Sequence, residues 1–214
     1  MGSPSIKTVT GWYDQSAAEY DASHQPTQRK YKRIERSMVS LLDAGRVLDL
    51  GCGTGRLLGK GVVGVDLSMQ MLARAHNKSR QIVQADGHHL PFADGCFDAV
   101  IAAQGVIRYM DPNKAFGEIA RVLRLGGRCA VHQFGQAVSL RQVLGRAKPV
   151  LDKFSLANPD DLIRPAQTQG LFITQLELFR SIPRYPYAVR IPQQLPGKLW
   201  NHCVMHFERG SING

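Results

Sequence analysis

No apolar run reaches the ~18 residues that a membrane-spanning helix needs, which excludes an integral helical membrane protein. The opening MGSPSIKTVT has no apolar core for a secretory signal, and Ile6 stands where a myristoylation pattern needs Ser or Thr. Cysteine is scarce: four residues, at 52, 96, 129 and 203, none in a CxxC spacing. Neither a zinc site nor a dithiol redox centre is suggested. The thiols read as buried small hydrophobes in a reducing, cytoplasmic compartment. Acidic side chains are few, 17 against 27 Lys and Arg, for a net charge of +10.

The basic excess is largest in the C-terminal third, and one dense run, Arg29-Lys30-Tyr31-Lys32-Arg33, stands near the start. That balance suits an anionic partner such as a nucleic acid, a phosphorylated metabolite, an acidic protein or a membrane surface. It equally suits a solvated helix face. At 214 residues the chain is sized for one domain over 1–214, and it shows neither repeats nor low-complexity tracts.

What is there is alternation. Tyr31, Ile34, Met38, Leu41 and Leu42 fall at helical spacing and predict a helix over 27–44. Strands are predicted at 46–50, 62–66, 81–86 and 97–103, the last continuously apolar after Asp98, as a strand covered on both faces should be. Ser68 caps a helix to about Asn77. Asp111-Pro112 opens another, which Gly126-Gly127 should end before a strand over 128–134. Residues 46–134 thus predict a parallel sheet with helices on both faces. Further on come a helical stretch to about Leu151 and a helix capped by Asn158-Pro159, with Pro165 inside it. A final strand pair follows, 173–179 and 199–208, separated by a Pro-rich loop over 181–198.

The chemical signal is Val47-Leu48-Asp49-Leu50-Gly51-Cys52-Gly53-Thr54-Gly55. A strand delivers an acid, and a glycine-rich turn then exposes backbone amides to a ligand. Asp66 follows Asp49 by 17 residues, at the end of the second strand, where an acid can accept from ribose hydroxyls. A nucleoside cofactor is implied. The G-x-G-x-x-G of nicotinamide and flavin enzymes is not met, because Arg56 occupies the third glycine position.

VLDLGCGTG at 47–55, VVGVDLSMQML at 62–72, QADGHHLPFADGCFDAV at 84–100 and EIARVLRLGGR at 118–128 together resemble the class I S-adenosylmethionine-dependent methyltransferases. Trp12-Tyr13-Asp14 with Ala18-Glu19-Tyr20-Asp21 looks like the N-terminal cap of small-molecule members, among them quinone-biosynthesis enzymes. The resemblance implies a Rossmann-like three-layer α/β sandwich. Its sheet would be mostly parallel and seven-stranded, with an antiparallel last strand. Residues 1–45 would cap a cofactor core over 46–134, and 135–214 would form the substrate side.

Carried over, the resemblance implies that Asp49 and the backbone at Gly51, Cys52, Gly53 and Gly55 cradle the methionyl part of S-adenosyl-L-methionine. Asp66 would bind the ribose, Leu67 and Met71 would flank adenine, and Asp86 would accept from its amino group beside Gly87. Gln104 would face the sulfonium. Two departures stand out. The link over RLLGKG, 56–61, is short, so the first crossover helix should be barely two turns; and Arg108 stands where the family often has His.

Methyl transfer from a sulfonium is an in-line displacement that needs alignment rather than a protein nucleophile or metal. Where a base helps, His132 is the first candidate, followed by His24 and Tyr20. Tyr13, Arg108, Tyr185 and Tyr187 are the candidates for an anionic or aromatic small-molecule acceptor. His202 and His206, alternating on one strand, read as solvent-side. RNA, favoured by the charge and the 29–33 run, is the alternative acceptor, and a non-catalytic cofactor-binding subunit is a third reading.

Overall fold

The computed structural model describes residues 6–22, 34–134, 159–181, 188–191 and 202–211. Eight strands form one sheet: β1 (Val47–Leu50), β2 (Val62–Asp66), β3 (Ile82–Gln84), β4 (Phe97–Ala102), β5 (Leu123–Phe134), β6 (Leu171–Ser181), β7 (Ala188–Ile191) and β8 (His202–Arg209). Their spatial order is β3-β2-β1-β4-β5-β8-β6-β7. β1 to β5 are mutually parallel. β8 enters antiparallel between β5 and β6, so β6 again points with the first five. The carboxyl ends of β1 to β6 therefore meet along one edge.

The apolar runs explain the layering. Alternate residues of a strand face opposite sides. Leu48, Val100, Ala102, Cys129 and Val131 pack toward helices α4 (Pro112–Val122) and α5 (Asp160–Thr168). Val47, Ala99, Ile101, Ala130 and Val204 pack toward Ile34, Met38 and Leu41, at and just after helix α2 (34–39). Each fully buried Ile, Leu or Phe contributes roughly 1.5–3 kcal/mol. Two more helices complete the described set, α1 (Ile6–Ser16) and α3 (Met69–Ala75). The caps behave as their residues require: Ser68 Oγ accepts from the Met71 amide at 3.1 Å, and Asp111 accepts from Asn113 at 2.9 Å.

Four expectations need correction. No helix follows the glycine cluster; residues 51–61 are turns and bends. Gly51, Gly53, Gly55 and Gly61 all sit at positive φ, which leaves too little helical backbone in so short a link. Helix α4 stops at Val122, before the Gly126-Gly127 pair, because Leu123 pairs with Phe97 of β4 and begins β5. The sheet resumes its register at Arg128, beyond a bulge. Within the Pro-rich stretch, Ala188–Ile191 forms β7, an eighth edge strand antiparallel to β6, where a loop was expected. Finally, His202 is buried and His206 half-buried, because β8 is an interior strand covered on both faces. Residues 27–33, 135–158, Tyr185 and Tyr187 lie outside the described residues, and with them the basic run and much of the predicted substrate-side segment.

Candidate active site

A cleft of about 920 Å³, counted out to solvent, opens over the carboxyl ends of β1, β2 and β4. Helix α1 and the following turn roof it. At one end, each Asp66 carboxylate oxygen accepts from a backbone amide, Gly53 at 2.8 Å and Ser68 at 2.9 Å. Burial raises the Asp66 pKa, and the amides of Ser68, Gly53 and Leu67 oppose that rise. Asp86 accepts from the His88 amide at 2.9 Å and from His88 Nδ1 at 2.7 Å. His88 Nε2 in turn accepts from the Asp111 amide at 2.9 Å, which leaves the ring proton on Nδ1. Leu67, Met71 and Gly87 line the wall between these acids. Met71 serves the core as well, being fully buried.

The other end is a second space of about 470 Å³ that shares Tyr20, Gly51, Gly53, Ala103 and Gln104 with the first. Asp49, Cys52 and Arg56 line it. Asp49 is 2% exposed. Burial pushes its carboxyl up to about 7, against the opposing pull of Arg56. Arg56 is paired with the buried Glu35 of α2. With its amide turned, Gln104 also accepts from Arg56, at 2.5 and 3.2 Å.

Three tyrosines meet under the roof. Tyr13 donates to the Tyr109 hydroxyl at 3.1 Å, with the ring centroids 5.9 Å apart and edge to face. Tyr20 lies 6.1 Å from Tyr13. Behind Tyr109, the Arg108 guanidinium sits over that ring at 4.9 Å and over Phe134 at 5.2 Å. The roof is tied down by acids: Asp14 accepts from Ser68 Oγ at 2.5 Å, and Asp21 from Thr54 Oγ1 at 2.7 Å.

The fold thus gathers Asp49, Gly51, Cys52, Gly53, Asp66, Leu67, Met71, Asp86, Gly87, Gln104, Tyr13 and Tyr20 around the two joined spaces. Gly55 lines neither; a Cβ there would press on Leu58 and Ala75, so it serves close packing of the turn. His132 was expected as a base, and its position corrects that. It is 1% exposed, lines neither space, and both ring nitrogens are engaged. Burial of Tyr20 raises its phenol to about 12, so at neutral pH it donates rather than acts as a base. His24 is outside the described residues. Sequence reading missed Tyr109, His88 as a partner of Asp86, and Glu35. An acid flanking the apolar Ile34/Met38 stripe was the available signal for the last.

The pyrophosphate-binding helix N-terminus that a dinucleotide needs is absent from residues 51–61. A methyltransferase domain model matches residues 48–131. The chain is 32% identical over 186 residues to the demethylmenaquinone methyltransferase of Mycolicibacterium vanbaalenii, covering 79% of this chain and 82% of that one. It is 30% identical over 192 residues to the enzyme of that name from Corynebacterium urealyticum, covering 82% and 84%. Among solved structures, an S-adenosylmethionine-dependent methyltransferase from Thermotoga maritima superposes with TM-score 0.73 at 18% identity, over 92% of this chain and 98% of that one. The [4+2]-cyclase SpnF superposes at 0.69, also 18% identical, over 98% of each chain, so the fold by itself does not define the reaction. The chain belongs to the class I S-adenosylmethionine-dependent methyltransferases. Its cofactor is S-adenosylmethionine and its activity is methyl transfer.

Proposed function

We propose that this chain methylates a quinol-type ring, the reduced form of a demethylmenaquinone-class acceptor. The observation that carries the reading is the cluster of Tyr13, Tyr20 and Tyr109 lining the first space, with Tyr20 shared with the second and Arg108 stacked behind Tyr109. Flat aromatic walls with a cation behind them suit a planar acceptor that builds phenolate charge. The relatives' name points the same way.

The residues present fit the cofactor. A Cβ on Gly53 would meet nothing within 4 Å, so that stretch of backbone faces open space, and Asp66 lines the same cleft. We assign Asp66 to the ribose hydroxyls, Leu67 and Met71 to the adenine faces, and Asp86 beside Gly87 to the adenine amino group. Asp49, Gly51, Cys52 and Gln104 take the methionyl end. S-adenosylmethionine, when bound, supplies an electrophilic methyl on a sulfonium. The chain's part is alignment, exclusion of water beneath α1, and polarisation of the acceptor. Tyr13 and Tyr20 both have raised pKa values, chiefly through burial, so both phenols stay protonated and uncharged beside the acceptor, with the Tyr13 proton directed to Tyr109. Arg108 adds fixed positive charge on that side. Tyr185 and Tyr187 remain acceptor candidates on sequence grounds.

One continuous sheet supports a single domain, with 1–45 as cap, 46–134 as cofactor core and 135–214 as substrate side. No helix among the described residues is long and apolar enough to cross a membrane. Free thiols at all four cysteines support a cytoplasmic location.

The test offers the purified chain S-adenosylmethionine with a short-chain demethylmenaquinone, once held reduced and once oxidised, and with unmodified tRNA in parallel. Mass spectrometry should find a methylated ring from the reduced arm alone, since only a reduced ring carbon is nucleophilic. Methylated tRNA, or no quinol product from a chain that binds the cofactor, overturns the acceptor reading.

A further inference from the structure

Gln104 is the one described residue other than glycine at positive φ, 54°. A side-chain-bearing residue enters that region at a cost, and stays there only when its surroundings hold it. Gly105 follows at φ 73° and has no alternative, because a Cβ there would lie 2.6 Å from the Phe134 ring and 2.9 Å from Gln133 Oε1. Two consecutive left-handed residues thus follow the end of β4, and the first of them, Gln104, lines both spaces. Both of their amides go to one residue on the neighbouring strand. The Gln104 N–H donates to His132 Nδ1 at 3.2 Å, and the Gly105 N–H donates to the His132 carbonyl at 2.8 Å.

We propose that His132 is a positioning residue: its unprotonated Nδ1 holds Gln104 left-handed, and His202 fixes the tautomer that makes this possible. A ring nitrogen accepts only without its proton, so the His132 proton sits on Nε2. That nitrogen faces His202 Nδ1 at 3.3 Å, which must then be the acceptor. His202 comes from β8, the antiparallel strand, so a strand remote in sequence sets a bond at the cofactor wall. Burial, with the neighbouring His202 and Arg56, depresses the His132 pKa and keeps the ring neutral.

The reach into the site is short. Gln104's backbone sets where its amide lies, and that amide meets Arg56, which pairs with Glu35 at the methionyl end. His132 shares its sheet face with Ala130 and Val204, in an apolar layer. A leucine would suit that layer, yet it would leave the Gln104 N–H without its acceptor.

The experiment measures binding of S-adenosylhomocysteine by calorimetry, with no acceptor present, so its outcome is independent of the quinol reading. His132→Leu removes the ring acceptor at similar volume. His132→Asn returns an amide oxygen to the place of Nδ1. The Leu variant should bind about tenfold more weakly and the Asn variant within about threefold of the parent, the scale of one hydrogen bond to a buried amide. Equal losses in both, or no loss in Leu, overturn the proposal. A measurement on the parent chain needs no variant to fold: nitrogen NMR of labelled His132 should show an unprotonated Nδ1 and a protonated Nε2. A protonated Nδ1 overturns the proposal outright.

Discussion

Asp66 and Asp49 stand at neighbouring parallel strands, β2 and β1, yet their carboxyl groups live in opposite settings. Asp66 is held by backbone amides, one on each oxygen. Its position is fixed before any ligand arrives, and those amides oppose the rise in pKa that burial causes. Asp49 responds instead to the charges of nearby side chains: Arg56 favours its ionised form, while Asp66 and Glu35 disfavour it. Burial leaves it poised near neutrality. The adenosine end is thus pre-formed, and the methionyl end is electrically adjustable. A neutral nucleoside needs fixed acceptors, whereas a cationic sulfonium and ammonium reward a carboxylate that ionises on binding.

Removing the fixed acid should have the largest effect. Asp66→Ala is expected to weaken S-adenosylhomocysteine binding by roughly 1–3 kcal/mol, the scale of lost hydrogen bonds to a charged group. Calorimetry reads it directly. An unchanged affinity would sink the ribose assignment and, with it, the contrast between the two ends.

The adjustable acid predicts a pH dependence of intermediate size. Asp49 ionises near 7 in the fold against an ordinary 3.8. Its pKa is raised on folding, so its contribution to stability is fully present below about 3.8 and is lost as pH rises through about 7. Binding of a cationic methionyl group runs the other way, because it needs the ionised form. Affinity for S-adenosylmethionine should therefore rise by up to about tenfold per pH unit below 7 and level off above it. Asp49→Asn should flatten that slope. A parent profile that is flat from pH 6 to pH 8 would remove the contrast.

The same contrast governs what was legible in the sequence. Asp66 and Asp86 could be placed because each closes an apolar run, and a strand's end is a local signal. The caps at Ser68 and Asp111 were local too. Arg56 and Glu35 were not legible as a pair: they meet only once α2 packs beside a loop whose conformation four left-handed glycines decide. The expected helix after those glycines failed for that reason. The end of α4 was misplaced because a tertiary contact, Leu123 on Phe97, outcompetes the glycine stop. β7 was hidden among prolines. His202 and His206 were misread because alternation reveals two faces and not which of them is covered; in a strand between β5 and β6 both are.

The smallest expected effect lies back at the adenosine end, with His88. Its ring donates from Nδ1 to Asp86 and accepts at Nε2 from the Asp111 amide, joining the adenine acid to the N-cap of α4. His88→Ala removes the ring and leaves the backbone amide of residue 88, which still donates to the same Asp86 oxygen at 2.9 Å. The Asp111 side chain still caps α4 through Asn113. Only part of the support for Asp86 is lost, so the expected cost to cofactor affinity is about 0.5–1.5 kcal/mol, one net hydrogen bond. His88→Gln should recover part of it, since its amide can donate and accept in turn. If the adenosine end is fixed by backbone amides, His88→Ala must cost less than Asp66→Ala. A loss equal to or larger than that of Asp66→Ala would mean that side chains, not backbone, set this end as well.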